Sequence, residues 1–88
     1  MSTAESWTLD PERVGGSLEI WIRDQSPDED TRRKVREFLL WLEKEPLSKG
    51  KEDPDHPGIW FGRVSGTNVG VTYVPVTETH VVFVTIIR

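Results

Sequence analysis

The most unusual charged residue in this 88-residue chain is Arg63, which lies within the apolar segment IWFGRV. If that segment is a β-strand, alternation of side chains places Arg63 on the same side as Ile59 and Phe61. Two interpretations remain open. Arg63 either lies at a sheet edge and extends its guanidinium into water, or it stands on an open sheet face, where the planar guanidinium could bind phosphate.

Two lysines, Lys49 and Lys51, lie in the polar segment 46–58, PLSKGKEDPDHPG. Lysines in such loops commonly serve only to keep the surface solvated. They would contribute to an anion site if the loop folded over an open sheet face beside Arg63, because clustered cations attract phosphate.

The other side chains capable of chemistry have simpler explanations. Tyr73 shares a strand side with Val69 and Val71, which favours packing in the core or at its rim over acid–base chemistry. His80 could transfer a proton, although its position is more typical of a strand start. The chain has no cysteine, and His56 and His80 lack a spaced carboxylate pair, so we expect neither a metal nor another cofactor.

A run of bases lies in the predicted helix, and its members are Arg32, Arg33, Lys34 and Arg36. Three acids precede it in the acid-before-base order that supports a helix. This pattern favours a solvated helix face over a phosphate-binding patch.

Composition limits the classes of protein to which the chain can belong. Its length fits one small domain with residues 1–6 disordered, and neither a secretory signal nor an apolar run of about 20 residues is present, which predicts a cytoplasmic protein without membrane contact. Residues 1–30 carry eight acids and two bases, whereas the remainder carries nine bases and seven acids. Because nucleic-acid-binding domains are usually basic, any RNA contact would need a local patch on this acidic chain.

The order of elements predicts an α+β fold. Residues 17–24, SLEIWIRD, alternate apolar and polar side chains as a half-buried strand does. A capping box of Ser26, Pro27 and Glu29 predicts a helix that ends before Pro46. Three strands in an antiparallel meander follow the polar loop. We expect a four-stranded antiparallel sheet, with an optional short strand near residues 7–9, and one main helix on one face.

The segment GRVSGTNVGVTYV, together with the final HVVFVTIIR, resembles the RelE/ParE toxin superfamily of bacterial toxin–antitoxin systems. In that superfamily an arginine-containing strand precedes a tight turn, a tyrosine-containing strand and a last strand that ends near a basic residue. Arg63-Val64, Tyr73 and Arg88 carry these features here. The family has two helices before the meander, on one face of the sheet, whereas this sequence predicts one.

The resemblance implies a function as well as a fold. In the ribonuclease branch, basic residues on the open sheet face bind and cleave messenger RNA on the ribosome without a metal: a base accepts the 2′-hydroxyl proton, cations stabilise the transition state, and an acid protonates the leaving oxygen. The residues that match by position as catalytic are Lys49, Lys51, Arg63 and Arg88. Tyr73 and His80 would contact the substrate, and an antitoxin would be a protein partner. Because the second arginine of the tyrosine strand is replaced by Asn68 or Gly70, weak or altered activity is expected.

A second hypothesis is a non-enzymatic interaction domain with the same sheet. Its acidic N-terminal third would engage a basic partner, or an exposed strand edge or the open face would form a homodimer.

Overall fold

A computed structural model of the chain describes residues 6–88. Of the segment 1–6 that was predicted to be disordered, all residues but Ser6 lie outside the described range. The elements in chain order are β1 (Thr8–Leu9), α1 (Pro11–Gln25), α2 (Glu29–Leu42), α3 (Pro46–Lys49), β2 (Lys51–Glu52), β3 (Trp60–Arg63), β4 (Gly70–Val76) and β5 (Val81–Ile87). Within the described part of the chain, no helix has the length and apolar character needed to cross a lipid bilayer.

The strands form one five-stranded mixed sheet in the order β1-β5-β4-β3-β2. β1 pairs parallel with β5, and every other pairing is antiparallel. The α+β class and the three-strand meander are confirmed. The predicted four-stranded antiparallel layout is corrected, because the short β1 and β2 extend the sheet at its two edges and β1 makes it mixed.

The predicted strand at residues 17–24 is wrong, because this segment belongs to α1. Its inward side chains are Val14, Leu18, Trp21 and Ile22, at the helical spacing i, i+4, i+7 and i+8. Ile20, which the strand pattern grouped with Leu18 and Ile22, is 52% exposed. The first turn is fixed by Pro11 at the N-terminus and by the Asp10 carboxylate, which accepts a hydrogen bond from the Arg13 amide at 3.0 Å.

The predicted main helix is α2, but its N-cap lies two residues later than the Ser26 that the sequence suggested. Asp28 is the N-cap, and its Oδ1 accepts a hydrogen bond from the Thr31 amide at 2.8 Å. The hydrogen bonds from Thr31 lower the pKa of the Asp28 carboxyl. Ser26 instead ends α1 in the left-handed conformation, with φ of 44°. Two helices therefore precede the meander.

Both long helices cover the same face of the sheet. Trp21 of α1 and Leu39 of α2 belong to one buried cluster, together with Val71 and Tyr73 of β4 and Val84 of β5. The strand residues between these buried positions point to the opposite face. No helix in the described part of the chain packs over that face, which we call the open face.

A hydroxyl of α1 completes the pairing of β5 where β1 ends. β1 pairs only with Val81 and Val82. Two residues further along β5, the carbonyl of Val84 accepts a hydrogen bond from Ser17 Oγ at 2.9 Å. The helix thus satisfies a sheet-edge carbonyl that has no strand partner on this side.

Substitution of the two glycines inside α1 should stabilise the protein. A Cβ at Gly15 or at Gly16 meets no heavy atom within 4 Å. Since glycine costs helices about 0.5–1 kcal/mol relative to alanine, we expect Gly15→Ala and Gly16→Ala each to raise the free energy of unfolding by about that amount in urea titrations.

Gly50→Ala is the contrasting variant. A Cβ at Gly50 would lie 2.4 Å from the backbone oxygen of Phe61, which cannot rotate away. We expect this variant to lose stability. A loss of stability in Gly15→Ala and Gly16→Ala would contradict the helical assignment of residues 11–25.

Candidate functional site

The strand register places Arg63 on the open face. On β4, Val71 and Tyr73 are fully buried beneath the helices, so Gly70 and Thr72 face the other way. Arg63 pairs with Gly70 across β3 and β4. β2 pairs only with Trp60 and Phe61 of β3, so Arg63 has no strand partner on that side and lies near a sheet edge. Arg63 is thus both near an edge and on the open face, which combines the two interpretations drawn from the sequence.

Arg88 joins Arg63 from the other side of β4. The Arg88 amide donates a hydrogen bond to the Gly70 carbonyl at 2.9 Å, which continues the pairing of β5 with β4 by one residue. Because Ile87 is buried against the core, alternation directs Arg88 to the open face. Two strand spacings separate the Cα atoms of Arg63 and Arg88, which is roughly 10 Å.

Phe61 occupies the surface between these two arginines. A Cβ built at Gly70 would lie 2.5 Å from Cζ of Phe61, so the phenyl ring lies directly over the glycine. The ring nevertheless remains 45% exposed. Gly70 is therefore required by the close approach of an aromatic ring, which explains a glycine inside an apolar strand.

Lys51 completes this arrangement from the edge strand. It pairs with Phe61 across β2 and β3 and is exposed, so it stands on the same face. The backbone of Lys49 ends α3 two residues earlier, at the same end of the sheet. We call Lys51, Phe61, Arg63 and Arg88 the basic end of the open face.

The charge of this surface differs from that of the whole chain. None of the strand residues that face away from the helices is an aspartate or a glutamate. Within residues 6–88, no carboxylate forms an ion pair with Lys51, Arg63 or Arg88. Although the net charge of the chain is −4, this surface is locally cationic and could attract phosphate.

The structure does not bring Tyr73 and His80 to the basic end. Tyr73 is buried on the helix side of β4. His80 lies in the turn between β4 and β5, at the opposite end of these strands, with its ring centroid 4.7 Å from that of Trp7. Lys51, Arg63 and Arg88 are therefore grouped, whereas the two expected substrate contacts are elsewhere.

Tyr73 instead fixes the segment that carries the lysines. Its hydroxyl donates a hydrogen bond to the Pro46 carbonyl at 2.9 Å, and the backbone of Gly50 packs closely against the same hydroxyl. The segment 46–58 was expected to be a loop. Residues 46–52 instead form α3 and β2 against the sheet, whereas residues 53–58 are a connection outside any helix or strand. Tyr73 thereby positions Lys51 beside Phe61.

The basic run on α2 is engaged by nearby groups of the helix and its N-terminal flank. Asp30 forms ion pairs with Arg33 and, at 3.1 Å, with Lys34. Arg32 Nε donates a hydrogen bond to the Pro27 carbonyl at 3.2 Å. These contacts agree with the solvated-face interpretation.

Sequence reasoning missed Phe61 as a member of the site. The signal was available, because Phe61 and Arg63 share one side of β3, but an aromatic residue in an apolar strand suggested the core. Gly50 was also missed, since its close approach to Tyr73 depends on a contact between residues distant in sequence.

Comparisons with protein-family models, with curated proteins and with solved structures found no match to this chain. The functional argument therefore depends on the geometry of the open face.

Removal of the Tyr73 hydroxyl should destabilise the protein and change its response to alkali. We expect Tyr73→Phe to lower the free energy of unfolding by about 1–3 kcal/mol, because the Pro46 carbonyl loses its buried partner.

Burial raises the pKa of Tyr73 to about 12 from its ordinary value of 10.0. The folded state thus favours the protonated phenol; this stabilisation is complete below pH 10 and is lost as the pH rises towards 12.

Tyr73 is the only tyrosine in the chain, so the ultraviolet absorbance of tyrosinate reports its titration directly. In the folded protein, absorbance should rise well above pH 10, whereas in urea it should rise near pH 10. A midpoint near pH 10 in the folded protein would contradict the buried placement. Between pH 10 and pH 12, the free energy of unfolding of Tyr73→Phe should fall less steeply than that of the wild type.

Proposed function

We propose that this chain is a RelE/ParE-like toxin-fold protein that binds RNA on the basic end of its open face and cleaves it slowly as a metal-independent endoribonuclease. The observation that carries the proposal is the placement of Arg63 and Arg88 on either side of Gly70, with Phe61 between them and no acidic partner among the described residues.

The geometry of the basic end fits single-stranded RNA. The Cα atoms of Arg63 and Arg88 are roughly 10 Å apart. Their guanidinium groups can therefore reach neighbouring phosphates or hold one phosphate from two sides. An exposed phenyl ring between them offers a stacking surface for a base. The combination of a stacking ring with flanking cations is typical of proteins that bind single strands.

The acids and the open-face cations lie on different sides of the sheet, so the acidic net charge of the chain does not argue against RNA binding at the basic end. Most acids of residues 6–45 belong to the helices or their caps, on the other side of the sheet. Counterion release depends on the cations that contact phosphate, not on the sum over the molecule. With three cations and no aspartate or glutamate at the strand positions of the open face, we expect weak, salt-sensitive binding.

The fold also supports the proposal. Two helices, α1 and α2, precede the meander and cover one face of the sheet. The sequence predicted one helix before the meander, which departs from the RelE/ParE pattern of two. The presence of α1 and α2 agrees with that pattern.

Cleavage would proceed by attack of a ribose 2′-hydroxyl on the adjacent phosphorus. The O–P bond to the 5′-oxygen of the next nucleotide breaks, which leaves a 2′,3′-cyclic phosphate and a free 5′-hydroxyl. Arg63 and Arg88 would stabilise the charge on the phosphoryl oxygens. No side chain of the basic end is a histidine, an aspartate or a glutamate. A neutral lysine or water would therefore accept the 2′-hydroxyl proton, a protonated lysine or water would supply a proton to the leaving 5′-oxygen, and cleavage should be slow.

RNA binding should depend on the open-face cations individually. With a short single-stranded RNA as the probe, we expect Arg63→Ala and Arg88→Ala each to weaken binding and to reduce the salt dependence of log K by about 0.7–1. Phe61→Ala should cost about 1–3 kcal/mol through lost stacking, with the salt dependence unchanged. Arg13→Ala, which removes an exposed cation on α1, is the matched control and should leave binding unchanged.

Expression of the wild-type chain should arrest bacterial growth and yield transcripts that end in 2′,3′-cyclic phosphate. Cleavage of purified RNA should persist in a metal chelator, and the double variant Arg63→Ala/Arg88→Ala should abolish it. Unchanged growth with intact transcripts would reject the ribonuclease. RNA binding equal to that of the wild type in all open-face variants would reject the site itself.

A further inference from the structure

Thr72 lies on the open face beside the exposed ring of the basic end. It pairs with Phe61 across β3 and β4, and with Ile86 across β4 and β5. Its neighbours along β4, Val71 and Tyr73, are fully buried beneath the helices, so alternation directs Thr72 to the open face. Because the Cβ atoms of directly opposite strand residues are about 4.5–5.5 Å apart, the Thr72 side chain lies next to that of Phe61.

The hydroxyl of Thr72 is accessible to a bound molecule. Among the described residues, none forms a hydrogen bond with this hydroxyl, although the Thr72 carbonyl accepts one from Thr85 Oγ1 at 3.1 Å. The Thr72 side chain is partly exposed, and its open-face neighbours Phe61, Val74 and Ile86 are apolar. A bound molecule would therefore compete with water, and with no described side chain, for the Thr72 hydroxyl.

The position of Thr72 fits the sugar of a nucleotide held at the basic end. The Phe61 ring lies over Gly70 and offers its exposed surface to a base. Arg63 and Arg88 flank the same glycine and would hold phosphates. Since the ribose joins the base to the phosphates, it would lie between the ring and the guanidinium groups. Gly70 and Thr72 are two strand residues apart, which is roughly 7 Å, so this ribose comes within reach of the Thr72 hydroxyl.

We propose that Thr72 recognises the ribose 2′-hydroxyl and makes the basic end of the open face selective for RNA over DNA. A threonine hydroxyl can donate one hydrogen bond and accept two, and the 2′-hydroxyl is also both donor and acceptor, so the two groups can pair in either direction. Deoxyribose offers no such partner. This inference rests on the proposed function, because it assigns the residue that distinguishes the sugars within the same RNA site.

The other contacts of the basic end do not distinguish the two polymers. Lys51, Arg63 and Arg88 would bind phosphates, which RNA and DNA share. The Phe61 ring would stack on any base, because every base has a π-face. Phe61 has two direct cross-strand neighbours, Lys51 and Thr72, and of these only Thr72 carries a hydroxyl. Selectivity for ribose beside the ring is therefore assigned to Thr72.

Three single-stranded probes of one sequence test the assignment by fluorescence anisotropy: RNA, DNA and 2′-fluoro RNA, which lacks the hydroxyl but keeps an RNA-like sugar conformation. We expect the wild type to bind RNA about two- to tenfold more tightly than either other probe, which is the range of one neutral hydrogen bond. Thr72→Val keeps the side-chain shape and should lower the affinity for RNA to that for DNA, with the affinity for DNA unchanged. Thr72→Ser keeps the hydroxyl and should keep the preference.

Control variants separate recognition of the sugar from recognition of phosphate. Thr77→Val removes an exposed hydroxyl from the turn at the other end of β4 and should leave the affinities for RNA and DNA unchanged. Arg63→Ala should weaken RNA and DNA by similar factors, because it removes a phosphate contact. Circular dichroism confirms that each variant is folded, and the comparison of the three probes on the wild type needs no variant.

Equal affinity of the wild type for all three probes would overturn the assignment of Thr72 and leave the binding site in place. The assignment is also wrong if Thr72→Val keeps the preference for RNA, or if it weakens RNA and DNA alike, since the latter result indicates a packing role. If the wild type binds none of the probes, or if Arg63→Ala and Arg88→Ala leave RNA binding unchanged, the proposed function itself is wrong and the assignment of Thr72 is overturned with it.

Discussion

The hydrogen bond between the Tyr73 hydroxyl and the Pro46 carbonyl determines where the chain goes after its helical half. It is buried, it joins residues 27 positions apart, and the backbone of Gly50 packs closely against the same hydroxyl. Since an unpaired carbonyl or hydroxyl in that position would be costly, α3 and β2 are held against the sheet. The surface position of Lys51 is a consequence of this interior contact. The only tyrosine of the chain therefore influences the open face without reaching it.

Separation of charge between two layers is the second organising feature. The helices and their capping residues carry most of the described acids, and the strand positions of the open face carry none among the described residues. A sheet with helices on one face only makes this possible, because alternation directs neighbouring strand residues to environments of different charge. Arg63 and Val64, adjacent in sequence, face solvent and core respectively. Net charge is thus a poor guide to which polymers such a small domain can bind.

Local patterns in the sequence were sufficient for part of this structure. Helix α2, the meander and the alignment of Arg63 with Phe61 follow from periodicity within short segments. Helix α1 was missed because Leu18, Ile20 and Ile22 alternate over too few residues to distinguish a period of two from one of 3.6, and because Gly15 resembled a break. The grouping of Arg63 with Arg88 required the strand register, which depends on pairing between distant segments. No short pattern could predict that Tyr73 faces the helices and contacts Pro46.

The bond from Ser17 to the Val84 carbonyl has a consequence for behaviour at high concentration. The segment of β5, VVFVTII, is apolar, rich in β-branched residues and uncharged, which is the composition of strands that stack into fibrils. β1 covers only its first two residues, so much of its outer edge would otherwise be a template for another chain. The Ser17 hydroxyl of α1 occupies one carbonyl of this outer edge, that of Val84. Docking of α1 therefore covers part of the outer edge of β5, and release of α1 would expose that edge to pairing with another chain.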